Sequence, residues 1–334
     1  MRRGLVFGKF MPLHRGHQLL IDRALAQTDD VTSVVYDSEP PGAYPPMPLE
    51  KRLGWLERLY PQAEAIVPVA DPLRDEPDAD DPRHAALYAE TVRFLGRFDM
   101  VFTSEPSYEP FARELGARHV VVDGARQLVP ISGTRIRENV FEHRGWMDPD
   151  VYATLIQKVV LVGTESTGKT TLARALAESF GTLWTHEYGR ELWVEQGLQG
   201  TFTDFLKIAL RQYQREQAGL RHANGFLFCD TNAWTTLHWS LRDSGTADAR
   251  LHDLVDRTMG DYVWVLCAND FGWIDDGTRE MRDGEAAEFQ AGLERDLIRR
   301  GVEYTTVSGT IEQRIARVRE VLAGVAGGEP AKRA

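Results

Sequence analysis

The stretch Lys158-Val159-Val160-Leu161-Val162-Gly163-Thr164-Glu165-Ser166-Thr167-Gly168-Lys169-Thr170 decides the fold of the second half of the chain. Val159 to Val162 is a short apolar, mostly β-branched run and reads as a buried strand. Gly163 to Thr170 then matches G-x-x-x-x-G-K-[ST] at every position, and a helix opens at Lys169. A strand, a glycine loop and a helix in that order aim backbone N–H groups at a phosphate. Lys169 then reaches the β- and γ-phosphates, and Thr170 ligates magnesium.

Outward from this loop, strands and helices alternate. Strands are expected at 181–186, 225–229, 261–267 and 302–307, and helices near 169–179, 203–221, 246–258, 285–299 and 311–322. The first half alternates as well. Its strands are expected at 4–7, 31–36, 65–69, 100–103 and 119–122, with helices at 17–26, 49–59, 87–95 and 109–115. Such alternation predicts an α/β protein with two doubly wound parallel-sheet domains. Residues 1–145 form the first domain, 146–157 a linker, 158–323 the second domain and 324–334 a flexible tail. Pro40 to Pro48 and the acidic run Asp71 to Asp81 are surface loops.

The length, 334 residues, fits two domains at about 150 residues each. Net charge is −11. Split near residue 150, the halves carry 18 basic against 24 acidic residues and 21 against 26. Neither half has the basic balance of a nucleic-acid binder. Two cysteines, Cys229 and Cys267, support neither a disulfide framework nor a four-ligand zinc site. No apolar run reaches the length of a membrane span, and the basic start is too short for a signal peptide. A soluble, cytoplasmic protein is expected.

A phosphate loop alone does not separate kinase, GTPase and motor. Gly225-Phe226-Leu227-Phe228-Cys229-Asp230 reads as a buried strand ending in an acid, which suits a magnesium-linked position. No Asn-Lys-x-Asp guanine signature is present. Glu187, in His186-Glu187-Tyr188-Gly189-Arg190-Glu191, either orients or deprotonates a substrate hydroxyl or is a surface acid paired with Arg190. Trp273 to Arg282 reads as a lid whose Arg279 either closes on a transferring phosphoryl group or is solvated.

The first half has its own glycine turn, Gly8-Lys9-Phe10-Met11-Pro12-Leu13-His14-Arg15-Gly16-His17, between a strand and a helix. Backbone N–H groups and two imidazoles converge there, an arrangement that suits an anion. Far downstream, Ile131-Ser132-Gly133-Thr134-Arg135-Ile136-Arg137 places helix-capping hydroxyls beside arginines.

His14-x-Gly16-His17 together with Ile131-Ser132-Gly133-Thr134-x-Ile136-Arg137 resembles the nucleotidyltransferase superfamily, which has a Rossmann-like fold and transfers AMP from ATP to a phosphate. The resemblance implies that Gly8, Lys9, Phe10, His14, His17, Ser132, Thr134 and Arg137 hold ATP, with His14, His17 and Arg137 catalytic. Such a domain followed directly by a phosphate-loop kinase resembles the NadR family, over roughly residues 3–322. Those enzymes phosphorylate nicotinamide riboside with ATP to nicotinamide mononucleotide (NMN). They then couple NMN to AMP from a second ATP, giving NAD and pyrophosphate. The implied kinase set is Gly163, Glu165, Ser166, Thr167, Gly168, Lys169, Thr170, Thr171 and Arg279 for ATP. Glu187, Tyr188, Arg190, Asp230 and Asn232 would take the riboside, and Thr170 and Asp230 would hold Mg²⁺. Lys169, Glu187 and Asp230 would be catalytic in the kinase.

Three departures from the family pattern stand out. No helix-turn-helix segment fits before the strand at residue 4, so no nucleic-acid partner is expected. Trp55 is the only tryptophan among the first 140 residues. Gly54 and Asn232 stand where relatives often carry an arginine and an acid. Two other readings stay open: a riboside kinase fused to an adenylyltransferase for another phosphate ester, and a nucleotide-sensing regulator. The partners are small molecules (ATP, the riboside, NMN and NAD), and a homo-oligomer is left open.

Overall fold

The computed structural model describes residues 1–39, 45–73, 84–197, 201–270 and 283–327. The chain divides into two units, Met1–Leu155 and Ile156–Ala334. No helix among the described residues is long and apolar enough to cross a membrane.

In unit 1 the strands are β1 (Arg3–Gly8), β2 (Asp30–Tyr36), β3 (Ala65–Val69), β4 (Met100–Thr103) and β5 (Arg118–Val121). They pair in the order β3-β2-β1-β4-β5, every pair parallel. The helices are α1 (Arg15–Gln27), α2 (Leu49–Leu59), α3 (His84–Val92), α4 (Glu109–Glu114), α5 (Gly133–Glu138) and α6 (Pro149–Ala153). Every residue of β2 is buried, as a strand covered by helices on both faces must be. One face of the sheet packs Leu5, Val34 and Val101 against Ala89, Val92 and Phe111 from α3 and α4. Consecutive strands lie on both sides of β1, so the crevice for a ligand opens at its C-terminal end, after Gly8.

Residues 146–157, expected as a linker, are folded. Asp148 caps α6, Val151 and Tyr152 are buried, and Trp55 Nε1 donates to Thr154 Oγ1 at 2.9 Å.

Unit 2 repeats the plan with β6 (Gln157–Val162), β7 (Leu183–Thr185), β8 (Phe226–Asp230), β9 (Tyr262–Cys267) and β10 (Tyr304–Val307). Their order is β10-β9-β6-β8-β7, again all parallel. The helices are α7 (Lys169–Phe180), α8 (Tyr188–Glu195), α9 (Phe202–Leu220), α10 (Ala233–Ser244), α11 (Ala249–Thr258), α12 (Asp283–Arg299) and α13 (Ile311–Gly327). The expected tail is helical as far as Gly327.

Helices α8 and α10 were not anticipated from the sequence. In α10 the buried set is Ala233, Trp234, Thr235, Thr236, Leu237 and Ser240. Burial on more than one face, with threonines among the buried residues, blurs the 3.6-residue period that marks a helix in sequence.

At the N-terminal edge of this sheet, opposite the phosphate loop, lies a buried charge cluster. Lys158 Nζ reaches Glu216 Oε2 at 3.3 Å and Asp261 Oδ2 at 3.0 Å, and Tyr262 OH donates to Glu216 Oε2 at 2.6 Å. Burial pushes the Glu216 carboxyl above the usual carboxylate range even with Lys158 beside it. Burial alone would pull Lys158 down, but Glu216 and Asp261 hold it up.

Candidate active sites

In unit 1 the loop after β1 ends at His14, the N-cap of α1. Its Nδ1 accepts from the Gly16 N–H at 3.0 Å, and His17 Nδ1 accepts from the His14 N–H at 3.4 Å. The two rings lie 4.0 Å apart, centroid to centroid. With Nδ1 an acceptor, the proton of neutral His14 sits on Nε2 and makes it a donor. Burial, with Arg126 and Arg137 nearby, lowers the His14 pKa to about 4. His17 is pushed well below its ordinary value by burial and by His14, against a backbone hydrogen bond to Pro12. Both rings are therefore neutral at physiological pH.

The second motif folds against this loop. Ser132 caps α5, accepting from the Arg135 N–H at 3.2 Å. Arg137 Nη1 donates to the Met11 carbonyl at 2.6 Å, and its Nη2 donates to Thr134 Oγ1 at 3.1 Å. Glycine is required at 133, because a Cβ there would lie 2.8 Å from the Met11 carbonyl oxygen. A cavity of about 310 Å³ results, lined by Lys9, Phe10, His14, His17, Ser132, Thr134 and Arg137. Gly8, at the end of β1, sets the loop's departure and is not among the lining residues. Lys9 pairs with the buried Asp71 at 3.1 Å. Fully buried Arg52 anchors the same loop by donating to the Lys9 carbonyl at 2.8 Å and the Tyr36 carbonyl at 2.6 Å.

The sequence reading missed Arg126 and Asp123, which also line the cavity. Asp123 accepts from the N–H groups of Gln127, Leu128 and Val129 and so fixes the loop that presents Arg126. The only sequence signal was a turn-forming Asp-Gly pair at 123–124. Cations, neutral imidazole donors and a capped helix N-terminus around one cavity suit a polyphosphate.

In unit 2, Gly163 has φ 145° and lies so close to β9 that a Cβ would meet the Cys267 carbonyl oxygen at 2.9 Å. Gln290 on α12 bridges the same place, accepting from the Thr164 N–H at 2.7 Å and donating to the Cys267 carbonyl at 3.0 Å. Lys169 Nζ donates to the Thr164 carbonyl at 2.7 Å, and Thr167 Oγ1 donates to it at 2.9 Å. Glu165 lines the cavity below, and Gly168 is the N-cap of α7. Thr171 is exposed on the first turn of α7.

Thr170 Oγ1 donates to Asp230 Oδ2 at 2.6 Å. Asp230 Oδ1 is buried and has no partner among the described residues. An unpartnered carboxylate oxygen beside a threonine hydroxyl is a donor set that fits Mg²⁺, whose remaining ligands are typically phosphate and water. No cluster of three or more His, Cys, Asp or Glu among the described residues could hold a metal by protein ligands alone.

Beside the loop is a cavity of about 120 Å³ with aromatic walls from Trp193, Phe205 and Trp239 and polar groups from Lys169, Glu187 and Arg190. Glu187 lies 3.8 Å from Arg190, and a quarter of its side chain is exposed. Burial and the Asp230 charge raise its pKa, while Lys169 and Arg190 draw it down. Burial also raises Asp230, against Lys169 and the Thr170 hydroxyl.

Three expected riboside contacts do not line this cavity, among them Asp230, which pairs with Thr170. The Asn232 side chain caps α10, accepting from the Thr235 N–H at 3.2 Å, and does not line the cavity. The Tyr188 ring packs under the Arg215 guanidinium at 4.8 Å, also off the cavity wall. The tryptophan walls went unnoticed because α8 and α10, which carry Trp193 and Trp239, were not anticipated. Arg279 and the expected lid Trp273–Arg282 lie outside the described residues.

Among the described residues, five non-glycine residues have positive φ: Phe10, Asp123, Arg126, Ser166 and Thr231. The first three line the unit 1 cavity, Ser166 lies in the phosphate loop and Thr231 lines the unit 2 cavity. A β-branched residue such as Thr231 at φ 66° is a strained backbone position.

Comparison with known proteins follows the same division. Residues 5–139 match the Cytidylyltransferase-like family and residues 158–314 the AAA domain family. The chain is 30% identical over 326 residues to the trifunctional NAD biosynthesis/regulator protein NadR of Escherichia coli (strain K12), covering 91% of this chain and 78% of that protein. It is 26% identical over 168 residues to a nicotinamide-nucleotide adenylyltransferase of Thermococcus kodakarensis, covering 48% of this chain and 84% of that one. A crystal structure of a NadR protein in complex with NR superposes with TM-score 0.59 at 24% identity, covering 99% of this chain and 98% of that one. A likeness of that kind extends the shared fold through both units, and the whole-length identity goes further: the chain belongs to the NadR family, with a nucleotidyltransferase unit followed by a P-loop kinase unit.

Proposed function

We propose that this chain makes NAD from nicotinamide riboside in two steps, one in each unit. In unit 2 the riboside 5′-oxygen attacks the γ-phosphorus of ATP, the bond to the β-phosphate oxygen breaks, and NMN and ADP result. The hydroxyl proton passes to a carboxylate, Glu187 or Asp230, both held near Lys169. Lys169 and the loop N–H groups bind the phosphates. Thr170 and Asp230 would hold Mg²⁺, which neutralises phosphate charge when bound. In unit 1 an NMN phosphate oxygen attacks the α-phosphorus of a second ATP, and pyrophosphate leaves. His14, His17, Arg126 and Arg137 orient the triphosphate and stabilise the charge that develops on the departing oxygens.

The observation that carries this reading is the pairing, in one chain, of the His14/His17/Arg137 cavity with a phosphate loop beside the buried Asp230, the partly exposed Glu187 and an aromatic-walled pocket. The relatives named for NAD biosynthesis and for nicotinamide-nucleotide adenylyl transfer support the substrate. The test is incubation of the protein with nicotinamide riboside, ATP and Mg²⁺, following NMN and NAD by mass spectrometry. Lys169→Ala should abolish NMN formation but leave conversion of supplied NMN to NAD, and His17→Ala should do the reverse. Loss of both steps by either substitution in a folded protein would refute the two-site reading. NMN without NAD would leave unit 1 to another phosphate ester.

A further inference from the structure

One buried cation in unit 2 has no part in the chemistry above. Arg314, on the first turn of α13, is 1% exposed. Its Nη1 donates to the Thr167 carbonyl at 2.7 Å, and its Nε donates to the Gly309 carbonyl at 3.0 Å. Nη2 reaches the Ala268 carbonyl at 3.4 Å and pairs with Asp270. Asp270 in turn accepts from the Gly309 N–H at 2.6 Å. One guanidinium thus joins the phosphate loop to the segments that follow β9 and β10.

Two consequences follow from geometry. In a trans peptide the C=O and the next N–H point in opposite directions. A grip on the Thr167 carbonyl from below therefore turns the Gly168 N–H the other way, into the phosphate cradle. The second concerns direction along the sheet. The aromatic-walled cavity is built from segments following β7 and β8, on one side of β6. A nucleotide whose phosphates lie in the loop after β6, with its terminal phosphate toward that cavity, must send its nucleoside end to the other side. There the segments after β9 and β10 carry Ala268 and Gly309, whose carbonyls Arg314 holds.

We propose that Arg314, with Asp270, is a positioning residue for the nucleotide of unit 2, locking the phosphate-binding and nucleoside-facing loops into one rigid seat. The inference rests on the kinase reading of unit 2. Lysine cannot serve all these acceptors, because it lacks the planar fork of donors. Arg314→Lys should therefore raise the KM for ATP in riboside phosphorylation by roughly tenfold or more, with the riboside KM within about twofold of the parent and AMP transfer by unit 1 unchanged. Asp270→Asn breaks the bridge from its more exposed end and should act in the same direction; it decides the matter if Arg314→Lys does not fold. A second readout needs no acceptor: AMP-PNP should protect the amides of 163–170 and 308–310 from hydrogen exchange together in the parent, and protect neither segment fully in the variants. An unchanged ATP KM with parental protection in a folded variant would overturn the proposal, as would an equal rise in both KM values. Absence of riboside phosphorylation by the parent would instead sink the kinase reading, while the exchange experiment still decides the role of Arg314.

Discussion

Replacing Lys158 with methionine isolates the cost of stranding a buried carboxylate. Lys158 is 4% exposed and Glu216 is 0% exposed. Glu216 Oε2 takes both the Lys158 and Tyr262 hydrogen bonds, and Oε1 has no partner among the described residues. Methionine retains most of the lysine stem's packing and removes the charge with its hydrogen bonds to Glu216 and Asp261. Glu216 then keeps the phenol as its remaining partner at a site closed to water. Removing one member of a buried pair costs about 3–5 kcal/mol. Unit 2, residues 156–334, is of a size at which each kcal/mol moves the melting temperature by about 2–4 °C, so the expected fall is roughly 6–20 °C.

The pH dependence gives the sign. Burial already raises Glu216, and losing the lysine raises it further. The folded variant then holds a proton that the unfolded chain releases above the ordinary glutamate value of about 4.3, so the deficit grows as pH rises and shrinks toward acid. Calorimetry at pH 5, 6.5 and 8 measures this. The double variant Lys158→Met/Glu216→Gln should recover most of the loss at pH 8, because no buried charge is left. A single variant melting within about 2 °C of the parent at pH 8, or a deficit that grows toward acid, would refute the reasoning.

Other outcomes are expected at the two sites. Because the His14 pKa is lowered to about 4, the pH–rate profile of AMP transfer should show no inflection near 6.5. The stability of unit 1 should fall as pH drops from 6.5 toward 4, because the unfolded histidines gain protons first; an activity profile with a midpoint at 6.5 would contradict the buried neutral pair. Gly133→Ala would drive a Cβ to 2.8 Å from the Met11 carbonyl. Displacing α5 should cost AMP transfer about a hundredfold while phosphorylation by unit 2 continues, as NMN and NAD formation assayed separately would show. Asp230→Asn should reduce riboside-dependent ADP release by at least about a hundredfold and raise the Mg²⁺ concentration needed for half-maximal rate. Retained Mg²⁺ dependence at parental concentration would remove Asp230 from the metal site.

Both sheets and both glycine loops were legible in the sequence because each depends on local patterns. Buried strands read as short apolar runs, and glycines and histidines fall at fixed spacings around a strand-to-helix turn. What escaped depends on contacts distant in sequence. Arg52, Arg126 and Arg314 act through backbone carbonyls, which leave no residue-type signature at the partner position. Asn232 was expected as a riboside contact from the family resemblance, and its side chain caps the start of α10. The Trp239 wall of the unit 2 cavity was invisible for the same reason that α10 was, since burial on several faces erased its period.

The five left-handed, non-glycine residues bear on how this protein responds to selection. Phe10, Asp123, Arg126, Ser166 and Thr231 hold conformations that glycine or asparagine adopts more cheaply. A library screened for heat resistance alone would be drawn to these positions, where relieving the backbone is an easy gain. Each gain would come from a cavity wall or the phosphate loop, so the hardiest clones would tend to be the slowest catalysts. Stabilisation sought elsewhere, at the exposed Ile298 of α12, would leave that trade-off untouched.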